Sequence, residues 1–154
     1  MKRSMLKASS ILVYLFTAFI FPLVSHAADK EAKPFAEQRL ILQVSDADPA
    51  KYTAALDIAN NLIKHYQGPD LVDIEVIAFG KGVQMYFAPD NKNSARISSL
   101  RNNGVRFYVC LNTIDSIQRS TGKRPVLLGG IEGVQTGVAF MLEEIQAGYT
   151  HIHP

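Results

Sequence analysis

The one residue with strong nucleophilic chemistry of its own is Cys110, the sole cysteine, set in Arg106–Thr113, RFYVCLNT. A thiol acts as a nucleophile or sulfur carrier only as the thiolate, so its surroundings decide its use. The residues after it read as the start of a helix. A helix N-terminus offers unpaired N–H groups and the positive end of a dipole, and both favour a thiolate. The residues before it, Phe107, Tyr108 and Val109, are apolar, and free cysteine is among the most buried residue types. A small hydrophobe filling a core is therefore an equal reading of the same stretch. Neither a Cys-x-x-Cys partner nor a Cys-His-Asn protease signature is present, which excludes a self-contained disulfide exchanger.

The other chemistry-bearing residues have simpler explanations. Asp48 before Pro49 is a helix N-cap followed by the first helical turn, and Asp46 is a solvated loop residue. Gly80, Lys81 and Gly82 form a strand-to-helix turn that could present N–H groups and a positive charge to an anion. The Gly-x-Gly spacing matches neither the dinucleotide fingerprint nor a P-loop. Gly129, Gly130 and Gly133 read as a tight turn. His151 and His153 share a side of any strand that holds them. Zinc wants three or four ligands and no third is indicated, so they are terminal, solvated histidines and no metal is expected. His65 reads as a surface residue near a helix C-terminus. No cofactor motif stands out.

The elements that must position these residues follow from periodicity. Short apolar runs predict strands at Arg39–Ser45, Leu71–Phe79, Val105–Cys110 and Pro125–Leu128, with a short fifth at Tyr149–Ile152. Ala55, Ile58, Ala59, Leu62, Ile63 and Tyr66 recur at helical spacing after Asp48. A short helix is predicted over Val83–Ala88. Another carries Ala95, Ile97 and Leu100 and stops at Asn102, Asn103 and Gly104. A third covers Asn112–Arg119, and the last carries Val134, Val138, Met141, Leu142 and Ile145. Strands alternating with helices predict an α/β domain: a compact three-layer sandwich around a mostly parallel five-stranded sheet. Ligand sites in such sheets lie beyond the carboxyl ends of the strands. That rule gathers Ser45–Asp48, Gly80–Gly82, Cys110–Thr113 and Gly129–Gly133.

The first 27 residues read as a secretory signal peptide. Lys2, Arg3 and Lys7 precede an apolar run from Ile11 to Val24, and Ser25 and Ala27 sit at the small-residue positions before a cut. The run is about 14 residues, short of the roughly 20 that span a bilayer, so no stable membrane insertion is expected after cleavage. Residues 28–38 read as a flexible lead-in and 39–154 as the domain. The chain has 16 basic and 14 acidic residues; the leader holds three of the basic and none of the acidic, leaving 13 against 14. The basic balance is thus a targeting feature and nucleic acid is not an expected partner. Export implies a periplasmic location. A lone thiol there has no disulfide partner within the chain.

LILQVSDADPAKYTAALDIANNL, DIEVIAFGKGVQMYF, LRNNGVRFYVCLNT and the tail GYTHIHP together resemble the DsrE/DsrF-like family, in particular its small exported members. The resemblance runs from about Arg39 to Pro154. It departs at His151, where relatives usually carry an aromatic residue, and at His153, where they carry a basic one. It implies a DsrE-like fold, a homo-oligomer (trimer or hexamer), and a cysteine at the position of Cys110 that carries sulfur as a persulfide. Three functions stay open. The first is a periplasmic sulfur carrier or sulfurtransferase-type relay, with a donor or acceptor protein. In it Cys110 is the nucleophile, Gly80, Lys81 and Gly82 line the site, and Asn112 and Thr113 hydrogen-bond the sulfur anion. The second is a non-enzymatic oligomeric module that binds a small ligand or a protein, with Cys110 structural. The third is a redox sensor that cross-links two chains through Cys110.

Overall fold

The computed structural model describes residues 33–154. The leader and residues 28–32 of the lead-in lie outside them. Five parallel strands form one sheet: β1 (Gln38–Val44), β2 (Val72–Ala78), β3 (Arg106–Cys110), β4 (Glu132–Val134) and β5 (Thr150–Ile152). Their order is β4-β3-β2-β1-β5. Four α-helices connect them: α1 (Pro49–His65), α2 (Ser94–Asn102), α3 (Leu111–Thr121) and α4 (Gly137–Gln146). A 3-10 helix, Gly80–Tyr86, follows β2 where a short helix over Val83–Ala88 was expected.

The alternation of side chains along each strand sorts the sheet into two unlike faces. Leu40, Leu42 and Val44 of β1, Val72, Ile74, Val76 and Ala78 of β2, and Phe107 and Val109 of β3 face one side. There they pack on Tyr52, Ala55, Leu56 and Ala59 of α1, Ile97 and Leu100 of α2, and Ile114 of α3. Ile41, Ile77 and Tyr108 face the other side, under Met141 of α4 and beside Tyr149. The result is the expected three-layer α/β sandwich, with three helices on one face and α4 alone on the other.

The middle strand, β2, is buried along its whole length although it contains Asp73 and Glu75. Both acids point to the α4 face, where Arg106 of the neighbouring β3 meets them. Its Nη2 lies 2.6 Å from Asp73 Oδ1 and 3.1 Å from Glu75 Oε1. Tyr149 OH donates to Asp73 Oδ2 at 2.7 Å and accepts from Arg106 Nη2 at 2.9 Å. Burial alone would depress the guanidinium pKa, but the two carboxylates outweigh it and hold Arg106 charged. Buried charges that are paired and hydrogen-bonded in this way are tolerated where isolated ones are not.

The fourth strand is not where the apolar run predicted it. Pro125–Leu128 is extended, but it pairs with the end of the 3-10 helix: Leu128 N–H donates to Tyr86 O, Ala88 N–H donates to Val126 O, and Phe87 bridges Leu127. The strand beside β3 is Glu132–Val134, with Cys110 opposite Val134. Val134 therefore belongs to the sheet and not to the last helical face, which begins at Gly137. The end of the lead-in is tied down as well: Lys33 Nζ donates to Pro69 O and Val72 O, and Glu37 N–H to Leu71 O.

Candidate functional site around Cys110

Moving β4 to Glu132–Val134 changes what lies beside Cys110. The chain leaves β3 into α3 on the three-helix face and leaves β4 into α4 on the opposite face. Adjacent parallel strands whose connections diverge to opposite faces open a crevice at their carboxyl ends, where α/β folds hold ligands. Cys110 is the last residue of β3 and the N-cap of α3. Its side chain follows Arg106 and Tyr108 onto the α4 face, and there it meets Gly137, the first residue of α4. A Cβ on Gly137 would stand 3.0 Å from Cys110 Cβ and 3.2 Å from Phe79 Cβ. Glycine is what lets the α4 N-terminus approach the sulfur this closely.

The sulfur thus lies between two helix N-termini. The backbone N–H groups of Gly137, Thr113 and Asn112 and the Thr113 hydroxyl lie near enough to favour the thiolate, while the thiol's own hydrogen bond runs to Gln135 O at 3.8 Å. Burial raises the thiol pKa and is the largest single influence; the four donors together outweigh it, so the pKa lies below that of an ordinary thiol. The residue is 6% exposed. Above it lies an exposed polar rim made of Gly80, Asn112, Gln135 and Thr136.

The residues named from the sequence fall in three positions around this centre. Asn112 and Thr113 stand beside Cys110 in the first turn of α3, where both favour the thiolate. Gly80 acts through Thr113: its N–H donates to Thr113 Oγ1 at 3.2 Å, which polarises the hydroxyl toward Cys110. Gly82 is occupied by the fold, since its N–H donates to Ser45 O and Phe79 O and a Cβ would collide with Val44 O at 2.1 Å. Lys81 is exposed and its charge is felt at Asp46. Asp48 caps α1 by accepting Ala50 N–H at 2.8 Å, and Asp46 pairs with Lys51, which lowers its pKa. His153 meets Ser45 Oγ at 3.2 Å and His151 meets Gln43 Oε1 at 2.9 Å. Among the described residues no cluster of His, Cys, Asp or Glu is set to hold a metal.

Gly129 and Gly130 are not part of this rim. Gly129 O accepts from Arg101 Nη1, at the end of α2 that precedes β3, and Gly133 lies within β4. Their place beside Cys110 is taken by Gln135, Thr136 and Gly137, which the sequence reading missed. The usable signal was Gly137 itself, a glycine just before a helical apolar pattern.

No known family profile matches the chain, and no curated protein does. Solved structures do. A protein of unknown function from Methanobacterium thermoautotrophicum, MTH1491, is 28% identical, with a TM-score of 0.66 over 77% of this chain and 100% of that one. The YchN protein of E. coli is 16% identical, with a TM-score of 0.56 over 76% of this chain and 99% of that one. Both are DsrE-like fold proteins, and residues 33–154 have that fold.

Proposed function

We propose that this chain is an exported sulfur carrier in which Cys110 holds sulfur as a persulfide. The observation that carries the proposal is the placement of Cys110 in the crevice where α3 and α4 diverge, as the N-cap of α3 and packed on Gly137, the first residue of α4. In the loading step the Cys110 thiolate attacks a sulfane sulfur of a polysulfide. A new S–S bond forms to Cys110, the S–S bond of the reagent breaks, and a polysulfide one sulfur shorter leaves with the electron pair. In the unloading step an acceptor thiolate attacks the outer sulfur, and the Cys110 thiolate leaves. A depressed thiol pKa serves both steps, since it supplies the thiolate and improves the leaving group. The same N–H donors would stabilise the terminal anion of the persulfide.

The location rests on the leader of residues 1–27, and no described helix is long and apolar enough to cross a membrane. A homo-oligomer, trimer or hexamer, is part of the proposal. It is supported by Val138, Leu142 and Ile145, an exposed apolar stripe along α4 at helical spacing. Exposure of the purified protein to polysulfide, followed by intact-mass measurement, tests the carrier. One added sulfur atom that is removed by reductant and absent from Cys110→Ser supports it.

The competing reading, a binding module with a structural cysteine, is favoured by the 6% exposure of Cys110. Under it Cys110→Ser keeps full biological activity.

A further inference from the structure

Cys110 is covered by a short segment that no step of the proposed relay uses. Between Val134, paired with Cys110 in the sheet, and Gly137, packed on the Cys110 Cβ, lie only Gln135 and Thr136. Both are exposed, yet both are fastened to one side chain on α3. Asn112 Oδ1 accepts from Gln135 Nε2 at 2.7 Å, and Asn112 Nδ2 donates to Thr136 Oγ1 at 3.0 Å. The backbone closes the same gap: Asn112 N–H donates to Gln135 O at 3.1 Å, and the Cys110 thiol points to that same oxygen at 3.8 Å. The segment therefore bridges the crevice between α3 and α4 directly over the sulfur.

From this arrangement we infer that Gln135–Thr136 is a strap over Cys110, latched by the Asn112 side chain. It admits small sulfane-sulfur anions and holds back a thiol carried by a protein until it opens. The inference rests on the carrier reading of Cys110. Selection by size follows from the cover, because a compact reagent needs only a narrow opening. Selection for anions follows from the two helix N-termini that face the sulfur. Opening is accessible because the two side-chain bonds lie in solvent, where water replaces them at little net cost. The anchors at Val134 and Gly137 keep the walls of the crevice in place when the latch releases. The strap thus separates loading, by a small species, from unloading, by a docked partner.

The test compares two maleimides with the same reactive ring, N-methylmaleimide and N-pyrenylmaleimide, on the purified protein. Each rate is divided by the rate of that reagent with the urea-unfolded chain. Wild type is expected to show a relative rate for the pyrenyl reagent at least about tenfold below that for the methyl reagent. Asn112→Ala, which removes both bonds of the side-chain latch, and Gln135→Ala, which removes one of them, are expected to raise the pyrenyl value roughly tenfold and the methyl value less than about threefold. Gln135 is exposed, so its variant keeps the test decisive should Asn112→Ala fold poorly. Pyrenyl values unchanged in both variants, with fast methyl labelling, overturn the strap and leave the carrier standing. Folded protein that reacts with neither reagent, in wild type and both variants, overturns the carrier and the strap together.

Discussion

Cys110 combines two conditions that usually oppose each other, burial and a depressed pKa. Burial would protonate the thiol, and only the donors converging from Gly137, Thr113 and Asn112 reverse the sign. Each donor is therefore testable. Thr113→Val keeps the shape and removes the hydroxyl that Gly80 polarises. A hydrogen bond to a charged group is worth about 1.5–3 kcal/mol, so labelling of Cys110 at neutral pH should slow roughly tenfold while Thr113→Ser keeps most of the rate. Stopped-flow labelling measures it. Gly137→Ala drives a methyl group against Cys110 and Phe79, and should cost about 1–3 kcal/mol of stability in urea unfolding. The ionisation also has a thermodynamic signature. A folded-state pKa below the unfolded value near 8.5 means the folded protein binds fewer protons in the window between the two. Stability gains from Cys110 should therefore rise with pH through that window, be fully present above the unfolded value, and be lost as pH falls through the folded one. Cys110→Ser should remove that slope from the pH dependence of the urea midpoint.

At the scale of elements, the α4 face is held by polar contacts as much as by apolar ones. Arg106 on β3 neutralises Asp73 and Glu75 on β2 and, through Tyr149, ties the segment leading into β5 to the same cluster. Arg106→Ala should cost about 3–5 kcal/mol in urea unfolding, because it removes the cation that pairs with two buried carboxylates. Arg106→Lys should fall between, since an ammonium cannot span both acids as a planar guanidinium does. This cluster was not legible in the sequence: Asp73 and Glu75 fall inside the apolar run Leu71–Phe79, and their pairing depends on which strand lies alongside. The long periodic elements were legible. The apolar runs of β1, β2 and β3, the capped start of α1 and the Gly104 stop after α2 all fall within a residue or two of expectation. The fourth strand was not, because β4 is a three-residue edge strand, Glu132–Val134, with one apolar residue among three. Pro125–Leu128 carries the stronger hydrophobic signal but uses its backbone bonds on Tyr86 and Ala88. That displacement also hid half of the site. Asn112 and Thr113 could be placed by the strand-to-helix switch after Cys110, whereas Gln135–Gly137 could not be placed until β4 was.

For the whole molecule, the unequal covering of the two faces is the main feature. Among the described residues, three helices shield one side of the sheet and α4 alone shields the other. Val138, Leu142 and Ile145 on its outer surface stay 45%, 51% and 37% exposed. Burying such a stripe would contribute roughly 25 cal/mol per Å² of apolar area removed from water. If α4 is the interface, Leu142→Arg should convert the oligomer to a monomer by light scattering and leave the far-ultraviolet circular dichroism unchanged. Because α4 begins on Cys110, assembly through it would also fix the crevice wall, and the monomeric variant should label at Cys110 at an altered rate. An unaltered mass would exclude α4 as an interface between copies.

The most direct test of the central claim is the rate of Cys110 labelling by a small maleimide in the native protein as a function of pH. The expected result is a single titration with its midpoint below that of the same thiol in the urea-unfolded chain, shifted upward in Thr113→Val. A midpoint at or above that value, or a thiol that reacts only after unfolding, would contradict it.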